Sequence, residues 1–167
     1  LWHQSLTELT SDTLYLTWPN DLYNQKGKVA GILIEQVIQK NYRALIIGIG
    51  INRNHSGLIE TSSSVSHFTI DALINRLNQK INLPGLVNFS STELLNYWKT
   101  HDLFAINEAI ELLTAEKDKT KKSGIYLGIN EQGQALIQVD DKIQPLSSGQ
   151  TSVRKQTWRE LKTHLIK

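Results

Sequence analysis

The stretch LTWPNDLYNQKGKVAGILIE, Leu16 to Glu35, decides how this chain is read. Within twenty residues it joins a polar Trp-Pro-Asn-Asp corner to an apolar run headed by a lysine. Just upstream, Thr13–Trp18 alternates and is rich in β-branched and aromatic residues, which predicts a strand. Pro19 has no N–H to give a sheet ladder, so that strand ends there. Asn20 and Asp21 favour an Asx-type turn, and Lys26-Gly27-Lys28 a second turn. VAGILIEQVI then reads as a strand in which Gly31 marks a close backbone approach. NYRALIIGIGINRN, residues 41–54, is a further strand after a short polar loop, and the two are expected to form an antiparallel pair.

Working outward, residues 1–9 read as the tail of a helix broken by Thr10-Ser11-Asp12. Residues 54–67 are polar, Ser-rich and without periodicity, the kind of long loop that is often functional. In FTIDALINRLNQKINL, Ile70, Leu73, Ile74 and Leu77 share one helical face, and Pro84-Gly85 stops the helix. SSTELLNYWKTHDLF begins with an N-cap serine and Glu93 and predicts another helix. After Ile106 the texture changes to short strands, AIELLT, GIYLGI, QALIQV and KIQPL, separated by turn signals such as Asn130–Gly133. Taken alone, NEAIELLTAEK also fits a helix. The tail QTWRELKTHLIK fits a terminal helix. The expected class is α+β: a mixed or antiparallel sheet flanked by helices, followed by a small β-barrel of about fifty residues.

Composition sets the outer limits. At 167 residues and 40% hydrophobic, the chain can bury a core for one domain, or for a domain with a small module. A net charge of +2 carries no general polyanion-binding signal, and nucleic acid is not an expected partner. Lys117, Lys119, Lys121 and Lys122 form a local cluster that reads as a solvated turn or as a contact for phosphate or an acidic partner. Without cysteine, neither disulfides nor thiolate metal sites can form. No apolar run reaches the roughly 18 residues of a membrane span, and no signal peptide is visible, so a cytoplasmic location is the expectation. The chain begins with Leu1 and contains no methionine, which reads as a fragment of a longer protein.

The chemistry concentrates in the opening stretch. The Asp21 carboxylate beside the Asn20 amide suits a hydrated Mg²⁺ or the hydroxyl and amino groups of a nucleotide. Lys28, next to Gly27, offers a point charge to a carboxylate or phosphate oxygen. Gly31 would let a flat ligand lie against the backbone. GIGIN places Gly48 and Gly50 on one strand face and ends in Asn52, whose amide both donates and accepts, as a purine edge requires. It does not complete the dinucleotide fingerprint G-x-G-x-x-G.

WPND, KVAGILIE and IIGIGIN, in this order and spacing, resemble the biotin protein ligases. PLSSGQTSVRK is similar to the end of that family's barrel, a glycine followed shortly by Ser-x-Arg. The resemblance covers about residues 1–155 and implies a core related to class II tRNA synthetases with an SH3-like β-barrel behind it. Residues 1–105 would be part of the catalytic domain without its N-terminal part, 106–156 the barrel, and 157–167 a C-terminal tail. The implied reaction joins biotin and ATP, with Mg²⁺, to biotinyl-5′-adenylate. Biotin then passes to a lysine of a biotin carboxyl carrier protein, and no tightly bound prosthetic group is involved. By the same resemblance Asn20 and Asp21 would serve the phosphates, with Asp21 a Mg²⁺ ligand. Lys28 would be the catalytic bridge between the biotin carboxylate and the α-phosphate. Gly31, Leu33 and Gly48 would line the biotin slot beside Lys28, Asn52 would read adenine, and Arg154 would reach the nucleotide. The loop after Asn52 would close over the adenylate, where His67 or Phe68 could stack on adenine, with plain loop packing the preferred reading of both.

Two departures stand out. Family members usually carry lysine before WPND, where this chain has Thr17. The family's Gly/Arg-rich loop lies upstream of WPND and has no counterpart in residues 1–17, so the isolated chain is expected to be weak or inactive. The alternatives are a lipoate-ligase-like acyl transferase and a non-catalytic module that homodimerises through exposed strands. Some biotin ligases also act as repressors through a helix-turn-helix, which is not visible here.

Overall fold

The structure is a computed structural model and describes residues 1–53, 64–65, 68–81, 90–114, 122–149 and 151–155. Contacts divide the chain into two compact units: Leu1–Leu16 with Asn20–Phe89, and Thr17–Pro19 with Ser90–Lys167. The Trp-Pro-Asn-Asp corner is thus shared, with Trp18 and Pro19 in the second unit and Asn20 and Asp21 in the first.

The first unit contains α1 (Trp2–Thr7), β1 (Tyr15–Thr17), β2 (Asp21–Asn24), β3 (Gly27–Gln39), β4 (Tyr42–Ile51) and α2 (Ile70–Ile81). Its four-stranded sheet has the order β1-β2-β3-β4. The expected antiparallel pair of long strands is present, running from Ala30 opposite Ile51 to Gln39 opposite Tyr42. Trp2 and Leu6 from α1, Leu22, Val29 and Ala30 from the sheet, and Leu73 from α2 form the core. On α2, Leu73 is buried and Leu77 packs partly against this core, as the periodicity predicts. Glu8 beyond α1 accepts from Lys80 Nζ (2.8 Å) and forms an ion pair with Arg76 (3.2 Å), both of α2.

One local expectation is corrected. Asp21 does not sit on an Asx turn. It opens β2, opposite Gly31 of β3. The Asx turn falls three residues later, where Asn24 Oδ1 accepts from the backbone N–H of Lys26 (2.9 Å) and Gly27 (3.2 Å). Gly27, at φ 150°, completes that turn and is already the first residue of β3. Asx propensity is shared by Asn20, Asp21 and Asn24, and only the pairing of β2 with β3 decides which residue turns the chain. The β2–β3 register shifts between Leu22, opposite Ala30, and Tyr23, opposite Lys28, so Val29 has no opposite residue.

The second unit contains α3 (Ser91–His101), β5 (Glu108–Thr114), β6 (Lys122–Ile129), β7 (Ala135–Val139), β8 (Lys142–Leu146) and β9 (Thr151–Lys155). The sheet order is β8-β7-β6-β5-β9 with antiparallel neighbours. The expected capping box is formed: Ser90 Oγ accepts from Glu93 N (3.2 Å), and the Glu93 carboxylate accepts from Ser90 N (2.9 Å). Of the two readings of NEAIELLTAEK, the described part is strand, with Ile110 and Leu112 buried two residues apart. The fifth strand, β9, had no strand signal of its own, because Val153 is its only buried residue. The expected C-terminal helix lies outside the described residues.

The second core gathers Trp18, Phe104, Ile110, Tyr126, Ile137 and Val153. Trp18 Nε1 donates to the Gly133 carbonyl at 3.0 Å. Beside this core the Asp102 carboxylate accepts from Tyr126 Oη (2.6 Å), Trp98 Nε1 (2.8 Å) and the backbone N–H of Phe104 (3.1 Å). Among the described residues no helix is long and apolar enough to cross a membrane.

Candidate functional site

Lys28 Nζ lies 2.7 Å from Asp21 Oδ1. The register puts Asp21 opposite Gly31 and Gly31 opposite Gly50, so all three share one row and one face of the sheet. In the next row on that face, Leu33 stands opposite Gly48. A Cβ placed on Gly31 would come within 2.9 Å of Asp21 Oδ1 and 3.4 Å of Lys28 Nζ. The ion pair therefore rests over the bare backbone of Gly31. A Cβ on Gly50 would meet nothing within 4 Å, and one on Gly48 only Leu33, at 3.9 Å. These glycines leave an open floor of backbone, with charge at one end and Leu33 at the other. Such an open strip can take an elongated, largely apolar ligand that carries one anionic group.

Asn20 and Asn52 brace the strand that carries Lys28. Asn20 Nδ2 donates to the Ile32 carbonyl, while Ile32 N donates to the Asn20 carbonyl at 2.9 Å. Asn52 Nδ2 donates to the Lys28 carbonyl at 3.0 Å, and Asn52 N donates to the Val29 carbonyl at 2.8 Å. Just beyond, Arg53 donates to the Phe68 carbonyl (3.3 Å) and its guanidinium lies 5.7 Å from the centre of the Phe68 ring. Phe68 is buried in the first core, as its reading as packing predicts, and His67 lies outside the described residues.

Asn20, Asp21, Lys28, Gly31, Leu33, Gly48 and Asn52 thus lie on or directly beside β2, β3 and β4. Arg154 belongs to the second unit, on β9 opposite Glu111 of β5. Thr17, where the family usually has lysine, is buried, and its hydroxyl has no hydrogen-bond partner among the described residues. Gly50 was absent from the expected slot residues, although the alternation of GIGIN already puts it on the face of Gly48. Among the described residues no three His, Cys, Asp or Glu side chains cluster to hold a metal ion. Asp21 can supply one carboxylate oxygen to Mg²⁺, whose remaining ligands would be water and phosphate oxygens, the usual manner of Mg²⁺ at nucleotide sites.

With this geometry in place, the comparisons define the class. Residues 2–52, which contain the whole strip, match the model of the Biotin/lipoate A/B protein ligase family. The chain is similar to the biotin protein ligases. It is 32% identical over 166 residues to the bifunctional ligase/repressor BirA of Escherichia coli (strain K12), a match covering 89% of this chain and 49% of BirA. The chain spans about half the length of the curated relatives it matches. Among solved structures it is similar to biotin protein ligase from Aquifex aeolicus, with a TM-score of 0.71, 28% identity, and coverage of 92% of this chain and 70% of that one. The same enzyme in complex with biotin and ATP matches with a TM-score of 0.65 at 26% identity, covering 92% of this chain and 67% of that one. The α+β architecture with antiparallel sheets agrees with that of these ligases.

Proposed function

We propose that the protein containing this chain is an ATP-dependent biotin protein ligase. The observation that carries this reading is the Lys28–Asp21 pair over Gly31, at one end of an open strip of glycine backbone that Leu33 borders. Biotin has the matching form: a compact bicyclic head, an aliphatic chain and a terminal carboxylate. Gly31, Leu33 and Gly48 would receive it, with its carboxylate at Lys28.

The chemistry follows from charge. A biotin carboxylate oxygen attacks the α-phosphorus of ATP, and the bond to pyrophosphate breaks. Both reactants are anionic, so the step needs a cation between them. Lys28 is that cation, exchanging Asp21 for the carboxylate and an α-phosphate oxygen, and it stabilises charge as it develops. Mg²⁺, held by Asp21 and the phosphates, would further offset the negative charge. In the second step a lysine amine of a biotin carboxyl carrier protein attacks the acyl carbon, and AMP leaves. Lys28 then polarises the acyl oxygen. Asn20 serves the phosphates and Asn52 faces adenine. Arg154 keeps its assignment to the nucleotide from the family resemblance alone. No prosthetic group is required.

Strands β5–β9 of the second unit are read as the SH3-like barrel at residues 106–156, following catalytic-domain residues 1–105 and preceding a tail at 157–167. The exposed apolar side chains on the other face of the β3–β4 hairpin, among them Ile34, Ile38 and Leu45 at 57%, 62% and 64% exposure, support the reading that further sheet belongs against them. On that account the isolated 167-residue chain is weak or inactive. A cytoplasmic location completes the proposal, and homodimerisation through the exposed strands belongs to the alternative of a non-catalytic module.

The test is mass spectrometry of a biotin-acceptor domain incubated with biotin, ATP and Mg²⁺, alongside either this chain or a form of full ligase length. Biotin on the acceptor with the longer form is the expected result. A lipoyl adduct formed instead when lipoate is supplied would move the activity to a lipoate ligase. No transfer of either group would leave a non-catalytic module.

A further inference from the structure

We infer that Asn52 is a positioning residue for Lys28, acting before any nucleotide is bound. This deepens the ligase reading and rests on it. β3 pairs with β4 only from Ala30 opposite Ile51 onward, so the β4 ladder stops short of Lys28. On the other side, the register shift against β2 leaves Val29 without an opposite residue, a local weakness in the ladder just where the lysine is held. Asn52 bridges this gap. Its backbone N–H takes the Val29 carbonyl at 2.8 Å, and its side-chain Nδ2 takes the Lys28 carbonyl at 3.0 Å. The amide side chain therefore does the work of one more ladder residue. Asn52 is itself anchored through its carbonyl, which accepts from Val65 N at 2.9 Å, and Val65 is fully buried.

An amide nitrogen carries two protons, and an amide oxygen two lone pairs. One proton is committed to Lys28. The second proton and the oxygen suffice for a bidentate contact with a purine edge. The same side chain can thus hold the lysine and meet the base, so loss of Asn52 is felt at Lys28 even when no base is present. A residue that only reads adenine has no such effect.

The experiment is calorimetric titration of biotin alone, without nucleotide, into the protein as its cell makes it, comparing the wild type with Asn52→Ala and Arg53→Ala. Arg53 donates to the Phe68 carbonyl and makes no hydrogen bond to Lys28 among the described residues, so it controls for general loosening of the strand end. Asn52→Ala is expected to weaken biotin binding about three- to tenfold, the loss typical of one hydrogen bond. It should also speed acylation of Lys28 by an amine-selective reagent, read by peptide mass mapping. Arg53→Ala should change neither. Biotin affinity and Lys28 reactivity unaltered in Asn52→Ala, or altered equally in Arg53→Ala, would overturn the inference. A wild type that does not bind biotin would instead overturn the ligase reading on which it stands.

Discussion

Lys28 Nζ and Asp21 Oδ1 meet at 2.7 Å over Gly31, and the absence of a side chain at that glycine is what lets them meet there. Gly31→Ala would set a methyl group 2.9 Å from the Asp21 carboxylate. The obstructed atom is the end of a side chain, so the carboxylate moves aside and the sheet survives. Unfolding free energy should change by less than about 1 kcal/mol, since the pair is partly solvated and such pairs contribute little. Adenylate formation should fall at least about tenfold, because the misplaced groups are the ones proposed to hold the reacting oxygens. Urea titration and a biotinyl-adenylate assay on the same preparation separate the two effects.

Thr17 is 2% exposed, and its hydroxyl is unpartnered among the described residues. Thr17→Val keeps the shape and removes the orphan donor, so the protein should be as stable or more stable, by up to about 1–2 kcal/mol. Thr17→Lys, which restores the usual family residue, would bury an unpaired ammonium and should destabilise by about 3 kcal/mol or more. Thermal unfolding of both variants checks the two signs together.

Asp102 gives a pH signature. Burial raises its pKa, against the opposing effect of hydrogen bonds from Tyr126, Phe104 and Trp98. The folded state therefore binds the proton more tightly than the unfolded chain. This contribution to stability is full below the ordinary aspartate range and is lost as pH rises through the raised folded value. The difference in unfolding free energy, wild type minus Asp102→Asn, should shrink from about pH 4 upward and then level off. A difference that grows with pH would mean that the ionised form is the one the fold favours. Tyr126, pushed upward by burial and then by the Asp102 charge, stays a hydroxyl donor throughout.

Much of this was legible in the sequence because the signals were local. The long β3–β4 hairpin is a pair of apolar runs around a polar break, α2 has a clear helical period, and the capping box of α3 is written in Ser90 and Glu93. The face shared by Gly48 and Gly50 follows from the two-residue period. What depends on tertiary pairing was not legible. Asp21 was assigned to a turn because nothing in its neighbours announces β2. The bracing roles of Asn20 and Asn52 need the carbonyls of Ile32 and Lys28, which lie 12 and 24 residues away from them in the chain. The burial of Thr17 could not be read from its strand, where it falls on the more polar face with Thr13 and Tyr15, opposite Leu14, Leu16 and Trp18.

The most direct test of the ligase account is the rate of biotinyl-5′-adenylate formation from biotin and ATP by the protein as its cell makes it, before and after Lys28→Ala. Charge-assisted stabilisation of a transition state by one group is typically worth about 3–4 kcal/mol, so the variant should lose about a hundredfold or more while unfolding at nearly the same temperature. Equal rates in the two proteins would contradict the account at its centre, because Lys28 would not be the cation that joins the carboxylate to the phosphate.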